Sequence, residues 1–108
     1  MIVVIFEVWP KSDQANTYFE MAASLKADLE LVDGFISVER FESVTQTGKY
    51  LSMSFWRDEE AIENWYCHGD HSLAQKSGRD HVFDDYRIRV ANVLRDYDMV
   101  AGRPRKLI

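Results

Sequence analysis

The run Ile2-Val3-Val4-Ile5-Phe6-Glu7-Val8-Trp9 decides how this chain folds. Successive residues of a strand face opposite ways. Ile2, Val4, Phe6 and Val8 therefore share one face, and Val3, Ile5, Glu7 and Trp9 the other. Both faces are largely apolar. A strand with one wet face would alternate apolar with polar, so something is expected to cover each face of the sheet it joins.

Working outward, Pro10 closes the strand, and Ser12 or Asp13 can cap a following helix. Ala15, Tyr18, Phe19, Ala22, Leu25, Leu29 and Val32 keep helical spacing and make one apolar face. Gly34 stands where a helix C′ glycine would. Residues 35 to 42 and 49 to 56 read as two strands of a hairpin, joined through the turn residues Thr45-Gln46-Thr47-Gly48. Asp58 caps a short helix carrying Ala61, Ile62 and Trp65, and the acidic turn Asp58-Glu59-Glu60 suits the helix dipole. Gly69 interrupts that helix. Asp70 can cap a second helical piece from His71 to about Ser77, stopped by Gly78. Residues 85 to 97 contain no Gly or Pro and read as a closing strand about twice the usual length. Arg87 and Arg89 are expected on one face of it, paired with acidic neighbours such as Glu39 or Glu42.

Strand, helix, strand, strand, helix, strand is the ferredoxin-like split βαβ order. It predicts an α+β fold with a four-stranded antiparallel sheet and the helices on one face. The other face would carry residues of the first strand, with Tyr50, Trp56 or Met53 added according to register. A bare apolar face of that size is a liability, and two such sheets packed face to face would bury it. A homodimer is therefore expected, with the end of the overlong last strand reaching the partner.

Composition agrees with a small globular protein. The 108 residues are read as a single domain, residues 1–108, with an ordinary apolar share of 46%. The net charge is -5 and there is no basic stripe, so no nucleic-acid partner is expected; Arg103, Arg105 and Lys106 form a basic tail. Cys67 is the single cysteine, so no disulfide forms within the chain, in keeping with a cytoplasmic location. The opening Met-Ile-Val-Val-Ile-Phe is too short for a signal sequence. No apolar run approaches the roughly twenty residues that span a bilayer, so no membrane partner is expected.

The functional reading centres on Trp65-Tyr66-Cys67-His68-Gly69-Asp70-His71-Ser72-Leu73-Ala74-Gln75-Lys76-Ser77-Gly78-Arg79. An indole, an imidazole, a carboxamide and a guanidinium in one short segment suit the wall of a small-molecule cleft better than a packing surface. His71, Gln75 and Arg79 fall at four-residue steps, which a continuous helix would align. On that reading His71 is a base, Gln75 a hydrogen-bond donor and Arg79 the holder of an anionic oxygen. The plainer reading is a solvated helix face, and Gly78 works against the alignment of Arg79. Trp65, Trp56, Phe83 and Tyr86 are candidates for the apolar walls around a substrate, though large aromatics more often serve the core. His68, Asp70, His71 and His81 are metal-ligand types. Their spacing is no recognised ligand pattern and Asp70 has a simpler task as a cap, so no metal is expected. Cys67 is read as an inert buried thiol.

The runs Gly34-Phe35-Ile36-Ser37-Val38-Glu39-Arg40-Phe41 and Gly48-Lys49-Tyr50-Leu51-Ser52-Met53-Ser54-Phe55-Trp56, then Asp58-Glu59-Glu60-Ala61 with Trp65 and His71, resemble the antibiotic biosynthesis monooxygenase family. The resemblance implies a dimeric α+β barrel with one cleft per subunit between helices and sheet. Members of that family oxidise phenolic polyketides with dioxygen and no cofactor, degrade haem, or do neither. The haem-degrading branch has a histidine ligand after a helical tryptophan and an asparagine on the first strand. Counted from Trp65, those positions fall on Gln75 and near Glu7, neither an ordinary ligand of haem iron. The cofactor-free branch has a tryptophan, a polar group one to two turns later and an arginine. Trp65 and His71 stand at the first two, with Arg79 and Arg87 near the third.

The function expected is thus an oxygen-dependent, cofactor-free monooxygenase of a small aromatic phenol or quinol. A haem-binding or haem-degrading protein, and a non-catalytic dimer that holds a small hydrophobic metabolite, are the alternatives. The chemistry of the first is coherent. A phenol or hydroquinone reacts with oxygen once it has lost a proton, and a neutral imidazole can take that proton near neutral pH.

Overall fold

The structure, a computed structural model, describes residues 1–67 and 82–103. Its elements are β1 (Ile2–Pro10), α1 (Ala15–Glu30), β2 (Phe35–Glu42), β3 (Tyr50–Trp56), α2 (Glu59–Tyr66) and β4 (Phe83–Asn92). The strands form one antiparallel sheet in the order β2-β3-β1-β4, so β1, apolar on both faces, is an inner strand. This is the ferredoxin-like arrangement that the order of elements predicts.

The sheet is open. β2 and β4 are its two edges and do not pair with each other, so the barrel implied by the family resemblance is not formed. The order β2-β3-β1-β4 leaves β3 and β1 between the two edge strands.

Register sorts the side chains. Val4 lies between Ser54 and Val90, and Ile5 between Met53 and Arg89. Ile2, Val4, Phe6 and Val8 therefore face the helices, together with Tyr50, Ser52, Ser54 and Trp56 of β3. Val3, Ile5, Leu51, Met53 and Phe55 make the uncovered face, where all five remain partly exposed. Of the three residues expected to join that face according to register, Met53 does; Tyr50 and Trp56 turn inward.

Two apolar clusters hold the helices to the sheet. Ala61, Ile62 and Trp65 of α2 pack on Val4 and Trp56, with Leu25, Leu29 and Phe35 at the margin. Tyr18 of α1 packs on Val8 and Val82, flanked by Phe6, Phe19, Tyr50, Phe83 and Tyr86. Asp58 caps α2 as expected, its carboxylate accepting from the Ala61 N–H at 3.0 Å.

Three local expectations are corrected. The N-cap of α1 is Gln14, with no side-chain cap, because the Lys11 carbonyl accepts from the Gln14 N–H and sets the entry turn past Ser12 and Asp13. Gly34 does not end α1, whose C-cap is Leu31; its positive φ opens β2 against α2. β4 runs over Phe83–Asn92, starting earlier and stopping well short of residue 97. It ends where β1 begins, since Asn92 pairs with Ile2 and Val93 donates to the Met1 carbonyl, and the ladder with β1 stops there. Beyond it Leu94, Met99 and Val100 are exposed.

The charged residues of the open face also pair differently from expectation. Glu7 accepts from Lys49 at 3.0 Å and from Arg89 at 2.6 Å. β4 adjoins β1 rather than β2, which puts Glu39 and Glu42 out of reach of Arg87 and Arg89. Cys67 is exposed rather than buried. Among the described residues no helix is long and apolar enough to cross a membrane.

Candidate functional site

Between the two helices and the inner face of the sheet lies a cavity of about 410 Å³. That is ample for a small organic molecule. It exists because the sheet floor is cut low at its centre. β3 reverses the usual polarity, turning Ser52 and Ser54 toward the helices and Leu51, Met53 and Phe55 away from them. Two small side chains stand where a packed core would hold large ones, and α1 spans the space they leave.

One end of the cavity is an aromatic nest. Phe6, Phe83 and Tyr86 meet with ring centroids 5.8 to 6.1 Å apart, and Tyr18 stands edge-on to Phe83 at 5.7 Å. The other end is formed by Trp56, Trp65, Ile62, Leu25 and Leu29. Trp56 and Trp65 are 2% and 6% exposed, so the same indoles serve the core and the wall. The Trp56 indole N–H donates to the Ser54 hydroxyl at 2.9 Å, which fixes its ring over the floor. Trp56, Trp65, Phe83 and Tyr86, singled out in the sequence as candidate walls, all line the cavity.

Among the described residues the polar groups at the site are few. Arg40, on β2, reaches in over Tyr18: its guanidinium carbon lies 5.4 Å from the ring centroid and its Nε donates to the Tyr18 hydroxyl at 3.3 Å. Burial pushes the Tyr18 phenol up from its ordinary pKa, with the Arg40 charge and hydrogen bond opposing the rise. Tyr66, also in the lining, is raised as well, by burial and then by Glu63 nearby. Both phenols are protonated donors at neutral pH.

Tyr18, Arg40, Ser52 and Ser54 were not identified from the sequence as site residues. Arg40 lies on an edge strand far along the chain from Tyr18, and only the fold joins them. The Ser-Met-Ser alternation of β3 was the available signal, since polar residues inward and apolar outward mark a strand that floors a cavity. Arg87, considered as the cleft arginine, is in register with Glu7 on the opposite face. His71, Gln75 and Arg79 lie outside the described residues, as do His68, Asp70 and His81.

The haem alternative meets a geometric obstacle. Glu7, the position that corresponds to the asparagine of haem-degrading relatives, points away from the cavity and is held by Lys49 and Arg89. Phe6 faces the cavity instead. The described lining does not fit a haem site built on that pattern.

A small split-βαβ domain with an aromatic cavity under its helices is a known class, and residues 1–77 match the family described as antibiotic biosynthesis monooxygenase. The chain belongs to that family. It is 44% identical over 93 residues to a protein of Pyricularia oryzae named jasmonate monooxygenase ABM, an alignment that covers 86% of this chain and 43% of that one. It thus spans less than half the length of that relative. The uncharacterized protein YqjZ of Bacillus subtilis is 34% identical over 88 residues, covering 79% of this chain and 73% of its own. Among solved structures, Rv0793 from Mycobacterium tuberculosis superposes with a TM-score of 0.80 at 14% identity, over 90% of this chain and 98% of that one. PA3566 from Pseudomonas aeruginosa gives 0.74 at 15%, over 87% and 94%. At such identities the likeness is one of fold.

Proposed function

We propose that this chain, with residues 1–108 as one domain, is a small cofactor-independent monooxygenase that oxidises an aromatic phenol or quinol with dioxygen. The observation that carries the reading is the cavity itself. It has aromatic ends, a serine floor and, among the described residues, one guanidinium, in a member of a monooxygenase family. The name of the Pyricularia relative supports oxygenation of a small organic molecule.

The substrate supplies the electrons. Loss of a phenolic proton gives an electron-rich anion that reduces dioxygen. One oxygen atom enters the product and the other leaves as water: the ring carbon para to the phenolate, a C–H that is CH2 in the keto tautomer, becomes C=O, the phenol becomes a quinone, and no outside reductant is required. The apolar walls would exclude water from the anion, and donors nearby would stabilise its charge. His71 is proposed as the proton acceptor, with Gln75 and Arg79 as further polar contacts, on the strength of their spacing after Trp65.

The protein is proposed to act as a homodimer. Val3, Ile5, Leu51, Met53 and Phe55 form an apolar patch on the open face, and a second copy with the same patch would bury it. Oxygen uptake by purified protein with an anthrone or hydroquinone, without added metal or flavin, tests the activity. No uptake above the uncatalysed rate across a panel of such substrates would refute it.

A further inference from the structure

Arg40 is an exposed residue of β2, and among the described residues it is the arginine whose guanidinium lies over the cavity. Lys49 and Arg89 are matched by Glu7, and Arg57 by Asp33 and Asp58. Arg40 lines the cavity, and among the described residues no carboxylate lies within ion-pairing distance of it. Its one hydrogen bond uses Nε and ends on the Tyr18 hydroxyl. Both Nη groups remain for another acceptor.

The direction of that bond matters. The Tyr18 oxygen accepts from Arg40, so the phenol's own proton is left to donate elsewhere. Tyr18 is 5% exposed, and the space beside it is the cavity. An acceptor placed there would meet a phenolic O–H and a guanidinium fork together. Both are donors, and the guanidinium is permanently charged. Lys26 of α1 lines the same cavity and adds a second positive charge, while the Glu39 backbone pairs with Met53, whose side chain belongs to the outer face. A planar carboxylate fits such a fork with two parallel hydrogen bonds.

We propose that Arg40 and Tyr18 form the seat for the carboxylate of an aromatic acid, whose apolar body lies between the Phe6–Phe83–Tyr86 nest and Trp56. The inference rests on the reading of this cavity as the substrate site, and it makes the substrate an organic acid, a phenol or quinol that also bears a carboxylate. Arg40 then sets which molecules enter and which way round they lie, while the reacting ring sits against the aromatic walls.

The test is equilibrium binding under nitrogen, where no turnover interferes. 2-Naphthoate and 2-naphthamide share shape and ring system and differ in charge. By titration calorimetry the acid should bind about tenfold or more tightly than the amide, the usual advantage of a charge-assisted pair. Arg40→Gln should abolish the preference by weakening the acid far more than the amide, Arg40→Lys should restore part of it, and Tyr18→Phe should reduce it. Equal binding of acid and amide, binding of neither, or a preference that survives Arg40→Gln would each overturn the proposal. Acid preference without oxygen uptake on any phenol would sink the oxygenase reading and leave this one standing. Uptake without acid preference would do the reverse.

Discussion

Gly34 backs directly onto Ala61: a Cβ added to the glycine would stand 2.7 Å from the Ala61 Cβ, and the Gly34 backbone holds φ at +92°. The Gly34 carbonyl also accepts from the Arg57 N–H at 2.7 Å. This is the point where the start of β2 is fastened to the start of α2, and through Ala61 to the wall formed by Ile62 and Trp65.

Gly34→Ala should therefore destabilise the fold by about 2–4 kcal/mol, combining left-handed backbone strain with overpacking. Denaturant melting measures it. Gly48 also has a positive φ, of 81°, with nothing within 4 Å of an added Cβ. Gly48→Ala should cost only the strain, about 1–2 kcal/mol. Equal losses at the two sites would show that the contact with Ala61 is soft.

Asp58 and Glu7 should give the protein an acid-sensitive limb. The Asp58 carboxyl is held below the usual carboxylate range by the Ala61 N–H, then by Arg57. Glu7 is lowered chiefly by its hydrogen bond from Lys49, with Arg89 adding to the effect. A carboxylate with a depressed folded pKa stabilises the native state above its unfolded pKa, near 4. That stabilisation is lost as pH falls through the folded value. Asp58→Asn preserves a good cap and should lower the melting temperature at pH 7 slightly, by what the Asp58 charge contributes there, while flattening its fall below pH 4. Asp58→Ala should lower it at both pH values. Melting curves in which Asp58→Asn falls as steeply as the parent would assign the acid limb to Glu7 alone.

These devices differ in how far the sequence reveals them. Asp58 precedes an acidic turn and an apolar run, so its cap is local and legible, as are β2 and the hairpin with β3. The α1 cap was not, because Gln14 follows two better capping residues and a tertiary turn made the choice. The end of β4 was not legible either. Residues 93 to 97 suit a strand, but β1 offers no partner beyond Ile2. Trp56, Trp65, Phe83 and Tyr86 could be named for their size and chemistry. Arg40 could not, because its importance comes from standing over Tyr18, and that proximity is created only when β2 joins the sheet.

The open face predicts an assembly that charge can break. Ile5 lies between Met53 and Arg89 at the centre of this face. Sedimentation at micromolar concentration should give twice the 12.6 kDa chain mass, with about 2,000 Å² or more buried in total. Ile5→Lys, which leaves the helix side untouched, should yield a folded monomer. A parent protein that sediments as a monomer would defeat the homodimer outright.

The pH dependence of turnover should identify the base. Among the described residues of the lining, Tyr18 and Tyr66 are raised phenols and stay protonated at neutral pH. Arg40 does not deprotonate. Glu39 remains as a carboxylate in the lining, although its place on β2 belongs to the outer face. His71 is the imidazole proposed for the task. If it is the base, kcat/KM should rise with pH around 6.5 and His71→Ala should lower turnover by about a hundredfold or more, without changing the melting temperature. His81→Ala is the silent control, and Glu39→Gln the discriminating one. Loss of turnover in Glu39→Gln with full activity in His71→Ala would transfer proton removal to the sheet. Full activity in His71→Ala would show that the phenol loses its proton to some other acceptor, and Arg79→Ala and Trp65→Phe would be the next variants to assay.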